Sequence, residues 1–139
     1  GQRIALVDNK VVEANLGIIP GFGGVARLSR RVGKAMASEM IFSAAQVKAD
    51  EALRIGLANR VLPQAELLPE VKKLAETMAS KGPLALSAVK RLLREGEGAD
   101  LRTANAMEQS AFGLVFSSGD AKEGVGAFTE KRKASFQGR

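Results

Sequence analysis

The chain has 139 residues, 45% hydrophobic and 26% charged, with a net charge of +6. That size and balance fit one domain or part of a larger one, and they exclude disorder along the whole length. Cysteine and histidine are both absent. Disulfides, thiolate or imidazole metal sites and any histidine-based triad are therefore excluded, and acid–base chemistry falls to carboxylates, lysines or groups on another chain.

No apolar run approaches the ~18 residues of a membrane span. The first eight residues lack the long apolar core of a signal peptide, so a cytoplasmic or organelle-matrix protein with no membrane partner is expected. The positive charge favours anionic partners, although a solvated basic surface would account for it too. Nucleic acid is disfavoured, because aromatics are only 4% and neither Tyr nor Trp is present to stack on bases.

In chain order, Ile4-Ala5-Leu6-Val7 reads as a buried strand and Lys10-Val11-Val12-Glu13 as an edge-like one. Residues 18–24 are turn-rich, with Pro20, Gly21, Gly23 and Gly24. Residues 25–43 read as two helical pieces broken at Gly33. Residues 49–55 form a short helix stopped by Gly56, and residues 57–63 an extended segment. Leu67, Val71, Leu74 and Met78 fall on one helical stripe. Pro83 opens the next helix, with Ala85, Ala88, Val89 and Leu92 on its inner face and Gly96 and Gly98 at its end. Residues 101–116 place Ala104, Met107, Ala111 and Val115 on one face. Asp120 with Glu123 resembles a capping box opening the last helix, whose apolar side carries Val125 and Phe128. The helical half has more apolar stripe than it can bury on itself; a core completed by other subunits would resolve this, as would a simple packed bundle.

The most informative stretch is Glu13-Ala14-Asn15-Leu16-Gly17-Ile18-Ile19-Pro20-Gly21-Phe22-Gly23-Gly24. It sets one carboxylate ahead of an apolar Gly-Pro-Gly loop that leads into a helix. An acid held against such a turn is desolvated, which favours its neutral form and suits it to proton transfer. By itself such a Glu is more often a surface residue at a strand end. The glycine loop lacks the spacing of a phosphate-binding motif, so a tight strand-to-helix turn is the simplest account of it. Phe128 and Lys131, three apart on the terminal helix, would share a face able to take an aromatic ring and an anion, or would be a core ring beside a solvated lysine. Arg27, Arg30, Arg31 and Lys34 read as a solvated helix face.

The stretch resembles the active-site segment of the enoyl-CoA hydratase/isomerase (crotonase) family, which usually reads Pro-Glu-Val-Asn-Leu-Gly-Ile-Ile-Pro-Gly-Phe-Gly-Gly. Further matches follow in order: Arg27-Leu28, Val32-Gly33-Lys34, Glu51-Ala52-Leu53-Arg54-Ile55-Gly56-Leu57-Ala58-Asn59-Arg60-Val61, Asp120-Ala121-Lys122-Glu123-Gly124 and Glu130-Lys131-Arg132-Lys133. Lys10-Val11-Val12-Glu13 is shorter than the usual Lys-Phe-Gly-Gln-Pro-Glu and lacks its Gln-Pro pair. Val25-Ala26 replaces the usual Thr-Gln, and Ala134 stands where Pro is common.

The resemblance implies an α/β but predominantly helical fold, the C-terminal part of a crotonase-like spiral with its trimerisation helices. Residues 1–62 would end the core and carry the active-site loop, and residues 63–139 would form a helical oligomerisation region. It implies a 2-enoyl-CoA hydratase in which two glutamates hold a water. Glu13 would be the one that protonates the α-carbon, Gly21 would lie beside the water, and the loop would line the acyl pocket. Phe128 and Lys131 would contact coenzyme A, which enters as part of the acyl-CoA substrate; no metal or other cofactor is implied. The other glutamate and both oxyanion-hole N–H groups would lie upstream of Gly1, so the chain alone is expected to be inactive. The expected partners are copies of itself in a trimer or hexamer, or a missing N-terminal half. A 3,2-enoyl-CoA isomerase and a noncatalytic oligomerisation module are the alternatives.

Overall fold

The computed structural model describes residues 9–10 and 13–139. The strand expected over residues 4–7, and Val11 and Val12 of the second strand, lie outside the described residues. Contacts divide the chain into two compact units between Val71 and Lys72, inside a helix.

In the first unit, β1 (Asn9–Lys10) pairs antiparallel with β2 (Gln46–Val47), with Asn9 opposite Val47 and Lys10 opposite Gln46. A 3-10 turn, Glu13–Leu16, follows β1. Glu13 therefore heads a tight turn and does not end a strand. α1 (Gly24–Val32) and α2 (Lys34–Ser43) pack on each other and are separated by Gly33, at φ 82° and ψ 158°. That region of backbone space is essentially reserved for glycine, so the break lies where the sequence put it. α3 (Ala49–Arg54) is stopped by Gly56 at φ 75°.

Met40, Val47, Ala52 and Ala58 form the core of this unit, with Leu28, Val32, Met36, Ile55 and Leu57 packed around them. The Ala58 N–H donates to the Ala52 carbonyl (2.9 Å), folding the segment after α3 back onto it. Residues 57–63, expected to be extended, take irregular conformations with no strand partner among the described residues. α4 (Gln64–Ala79) contains Pro69, which removes one rung of the helix ladder. Leu67, Val71 and Leu74 of its predicted stripe are half-buried, and Met78 is exposed.

The second unit holds α5 (Pro83–Glu95), α6 (Leu101–Phe116) and α7 (Gly119–Thr129). Pro83 takes the first turn of α5, and Gly96 ends it. Asp100 caps α6, its carboxylate accepting from the Thr103 N–H (3.1 Å) and hydroxyl (2.6 Å). The expected capping box at Asp120 is not formed. Ser118 is the cap, its hydroxyl accepting from the Ala121 N–H at 3.1 Å, and Asp120 lies inside the first turn. Asp120 is nevertheless buried, because the chain after α7 folds back over it. Its two carboxylate oxygens accept from the N–H groups of Gln137 (2.6 Å) and Gly138 (2.9 Å). The Asp120 N–H in turn donates to the Arg139 carbonyl at 2.9 Å. The Phe136 ring lies against Gly82 and Gly124.

Ala104, Met107, Ala111 and Val115 share the inner face of α6 as expected, and Ala111 is buried. Part of this face is bare. An apolar groove of about 810 Å³ runs between α5 and α6, lined among others by Val89, Leu92, Leu93, Phe112 and Val115. Leu93, Phe112 and Leu114 are each more than three-fifths exposed. No described helix is long and apolar enough to cross a membrane.

Candidate functional site

The Glu13 loop is built by backbone hydrogen bonds. The Glu13 carbonyl accepts from the Ile18 N–H (3.1 Å) and the Ala14 carbonyl from the Gly17 N–H (3.1 Å), closing the turn with Gly17 at φ 69°. Glu13 is half-buried. Pro20, the next anchor, is buried, and its carbonyl accepts from the Gly24 N–H. A side chain at Gly24 would bring its Cβ within 2.6 Å of the Pro20 ring, so glycine is required there by close approach. Gly23 is required by its φ of 81°.

Arg27 reaches back from α1 to donate to the Phe22 carbonyl at 2.8 Å, bracing the loop from behind. The sequence reading placed Arg27 only on a solvated basic face; its position four residues beyond Gly23 was the available signal. Arg30, Arg31 and Lys34 are exposed, as expected of that face.

Gly21 lies at the exposed crest of this turn, and no hydrogen bond joins it to Glu13. Between them Leu16, Ile18 and Ile19 project into water, and Phe22 beyond them is 99% exposed. The apolar surroundings expected to desolvate Glu13 are therefore present in sequence but face outward in this unit. Glu13 is the only carboxylate among residues 13–24.

Phe128 and Lys131 belong to the second unit. Phe128 lies on α7 and is 87% exposed. Lys131 does not share its helix face, because α7 ends at Thr129 and Lys131 lies past the cap residue Glu130, at φ 54°. The Lys131 N–H donates to the Phe128 carbonyl (3.2 Å) and the Arg132 N–H to the Ala127 carbonyl (3.0 Å). This pair of bonds is the Schellman helix stop, with lysine in the left-handed position that glycine ordinarily takes.

Arg132 carries an ion-pair network that sequence reasoning missed. Its guanidinium donates to both carboxylate oxygens of Glu123 (2.6 and 2.9 Å) and to Glu130 (2.5 Å), and Glu123 also accepts from the Ser135 N–H (2.8 Å). The Arg132 bonds, then the Ser135 N–H, hold the Glu123 carboxyl down at about 2, and the same bonds raise Arg132. No group of three or more metal-ligating side chains occurs among the described residues.

The sequence profile of the enoyl-CoA hydratase/isomerase family matches residues 9–139. The chain is 52% identical over 124 residues to a crotonyl-CoA hydratase of Syntrophomonas wolfei, covering 89% of this chain and 48% of that protein. It is 49% identical over 121 residues to a short-chain-enoyl-CoA hydratase of Clostridium acetobutylicum, covering 87% and 46%. The crystal structure of an enoyl-CoA hydratase from Bacillus anthracis matches with a TM-score of 0.90 at 38% identity, covering 92% of this chain and 50% of that one. The chain belongs to the enoyl-CoA hydratase/isomerase family, and its fold is the C-terminal portion of the crotonase fold. It spans about half the length of these relatives.

Proposed function

We propose that this chain is the C-terminal half of an enoyl-CoA hydratase, which adds water across the double bond of a 2-enoyl-CoA to give the 3-hydroxyacyl-CoA, and reverses that reaction. The observation that carries this reading is Glu13 itself: the sole carboxylate of its segment, fixed at the head of a hydrogen-bonded turn at the rim of an exposed apolar loop. In this role Glu13 delivers a proton to the α-carbon during hydration and removes it during dehydration. The loop through Gly21 lines the acyl chain, and Phe128 and Lys131 take the adenine and phosphate end of coenzyme A, which is the only cofactor-like group involved.

The second carboxylate and the oxyanion donors come from polypeptide outside residues 1–139. Each missing oxyanion donor costs about 10²–10³ in rate, so residues 1–139 alone do not turn over. The bare α5–α6 groove is the face covered by a neighbouring subunit in a homotrimer or hexamer; burying such a patch is the usual fate of exposed apolar area of this extent.

The test is Glu13→Gln in the full-length protein, assayed for hydration of a short 2-enoyl-CoA. Turnover falls by about 10²–10⁴-fold, the span of a lost general acid–base, while coenzyme A binding is kept. Near-normal turnover would overturn the assignment. Preferential turnover of a 3-enoyl-CoA would move it to the isomerase.

A further inference from the structure

Lys131 is one of two non-glycine residues with positive φ among the described residues. A left-handed lysine is strained relative to glycine at the same place, and such strain persists only where the surroundings over-determine it. They do so here. Arg132, the next residue, is tied by its guanidinium to Glu130 on the other side of Lys131 and to Glu123 one helical turn and more back along α7. The Ser135 N–H anchors the following chain to the same Glu123 carboxylate. The residues before and after Lys131 are thus pinned to one another and to the helix, while the Lys131 ammonium has no hydrogen-bond or ion-pair partner among the described residues and is exposed. Phe128, whose carbonyl accepts from the Lys131 N–H, leaves its ring in water. Arg132 is different: its charge is consumed by two carboxylates, so it is poorly placed to bind an anion itself.

We infer that Arg132 is a positioning residue, whose clamp on Glu123 and Glu130 holds Lys131 in its left-handed conformation and thereby sets the affinity of Lys131 for the phosphates of the acyl-CoA substrate. This rests on the reading of Phe128 and Lys131 as the coenzyme A contact. It assigns to Arg132, Glu123 and Glu130 the work of presenting that contact, and to Arg132 no contact of its own with the ligand.

The experiment is calorimetric titration of coenzyme A into the full-length protein and its variants, well below their melting temperatures. Lys131→Ala is expected to weaken binding about tenfold, the scale of one desolvated charge-assisted contact. Arg132→Ala is expected to weaken it by about five- to tenfold, no more than Lys131→Ala itself, because it acts only by freeing that left-handed residue. The two losses do not add: in a Lys131→Ala background Arg132→Ala changes affinity little, because the residue it positions is gone. Glu123→Gln separates positioning from direct contact. It weakens binding if Arg132 positions Lys131, and tightens binding if the released guanidinium is itself a phosphate ligand.

In hydratase assays the change appears in KM with kcat retained. If Lys131→Ala leaves coenzyme A affinity unchanged, or the unaltered protein does not bind it, the contact reading fails and this inference with it. If Lys131→Ala weakens binding but Arg132→Ala does not, or their effects add in full, or Glu123→Gln tightens binding, the contact stands and the positioning role is overturned.

Discussion

Replacing Asp120 by alanine should release the chain's last residues from α7. The carboxylate is 6% exposed and accepts two backbone N–H groups, from Gln137 at 2.6 Å and Gly138 at 2.9 Å. Hydrogen bonds to a charged group contribute about 1.5–3 kcal/mol each, and a negative charge in the first turn of a helix adds about 0.3–1 kcal/mol. Against this, freeing a residue returns about 1–2 kcal/mol of backbone entropy, and several tail residues are freed. The net loss is about 1–2 kcal/mol. Asp120→Asn keeps one acceptor and turns an amide N–H₂ toward a backbone donor, so it should lose about half as much. Urea unfolding measures both, read from the midpoint at constant slope. Because Asp120 acts through the tail, its substitution in a chain lacking residues 136–139 should cost far less than in the intact chain. An Asp120→Ala loss under about 0.5 kcal/mol, or an undiminished loss after truncation, would refute the reasoning.

Two further predictions concern stability. Glu123 is held at about 2 against an ordinary value of 4.5, first by Arg132 and then by the Ser135 N–H. Its contribution is therefore complete above about pH 4.5 and is lost as the pH falls through about 2, because the unfolded chain takes up the proton first. Glu51, paired with Arg54, and Asp100, bonded to Thr103, are lowered too and act in the same direction. Unfolding free energy measured across that window should fall less steeply in Glu123→Gln, and an unchanged slope would count against the pairing. Ala44, at φ 49°, ends α2 in the left-handed region, where glycine fits without strain. Ala44→Gly should stabilise by about 0.5–1 kcal/mol after the greater freedom of unfolded glycine is deducted; a lower melting temperature would contradict this.

The helices were legible because their ends are written locally. Gly33, Gly56, Pro83 and Gly96 all stop or start helices where the sequence placed them, and each acts through its own backbone preference. The Pro20–Gly24 turn was legible for the same reason. What could not be read depends on distant residues. Nothing local marks Gln46–Val47 as the partner of Asn9–Lys10, since a two-residue ladder carries no alternation to detect. The choice between Ser118 and Asp120 as cap was hidden because both residue types cap well; the returning tail, which takes the Asp120 carboxylate for itself, decided it. Lys131 was placed on the helix because lysine does not advertise a left-handed position, whereas a glycine there would have.

Gly33 turns α1 into a lever. The helix rises about 1.5 Å per residue, so its nine residues set Gly24 about 13 Å from the pivot. At its inner end Leu28 and Val32 grip the core around Met40, and its outer end carries the loop that leads back to Gly21. A tilt of only ~10° at the pivot would move that outer end by about 2 Å, and placement errors near 1 Å already cost reacting groups about 10²-fold. The loop's aim is thus fixed from the far end of the helix, by one backbone angle and two anchors, a leucine and a valine.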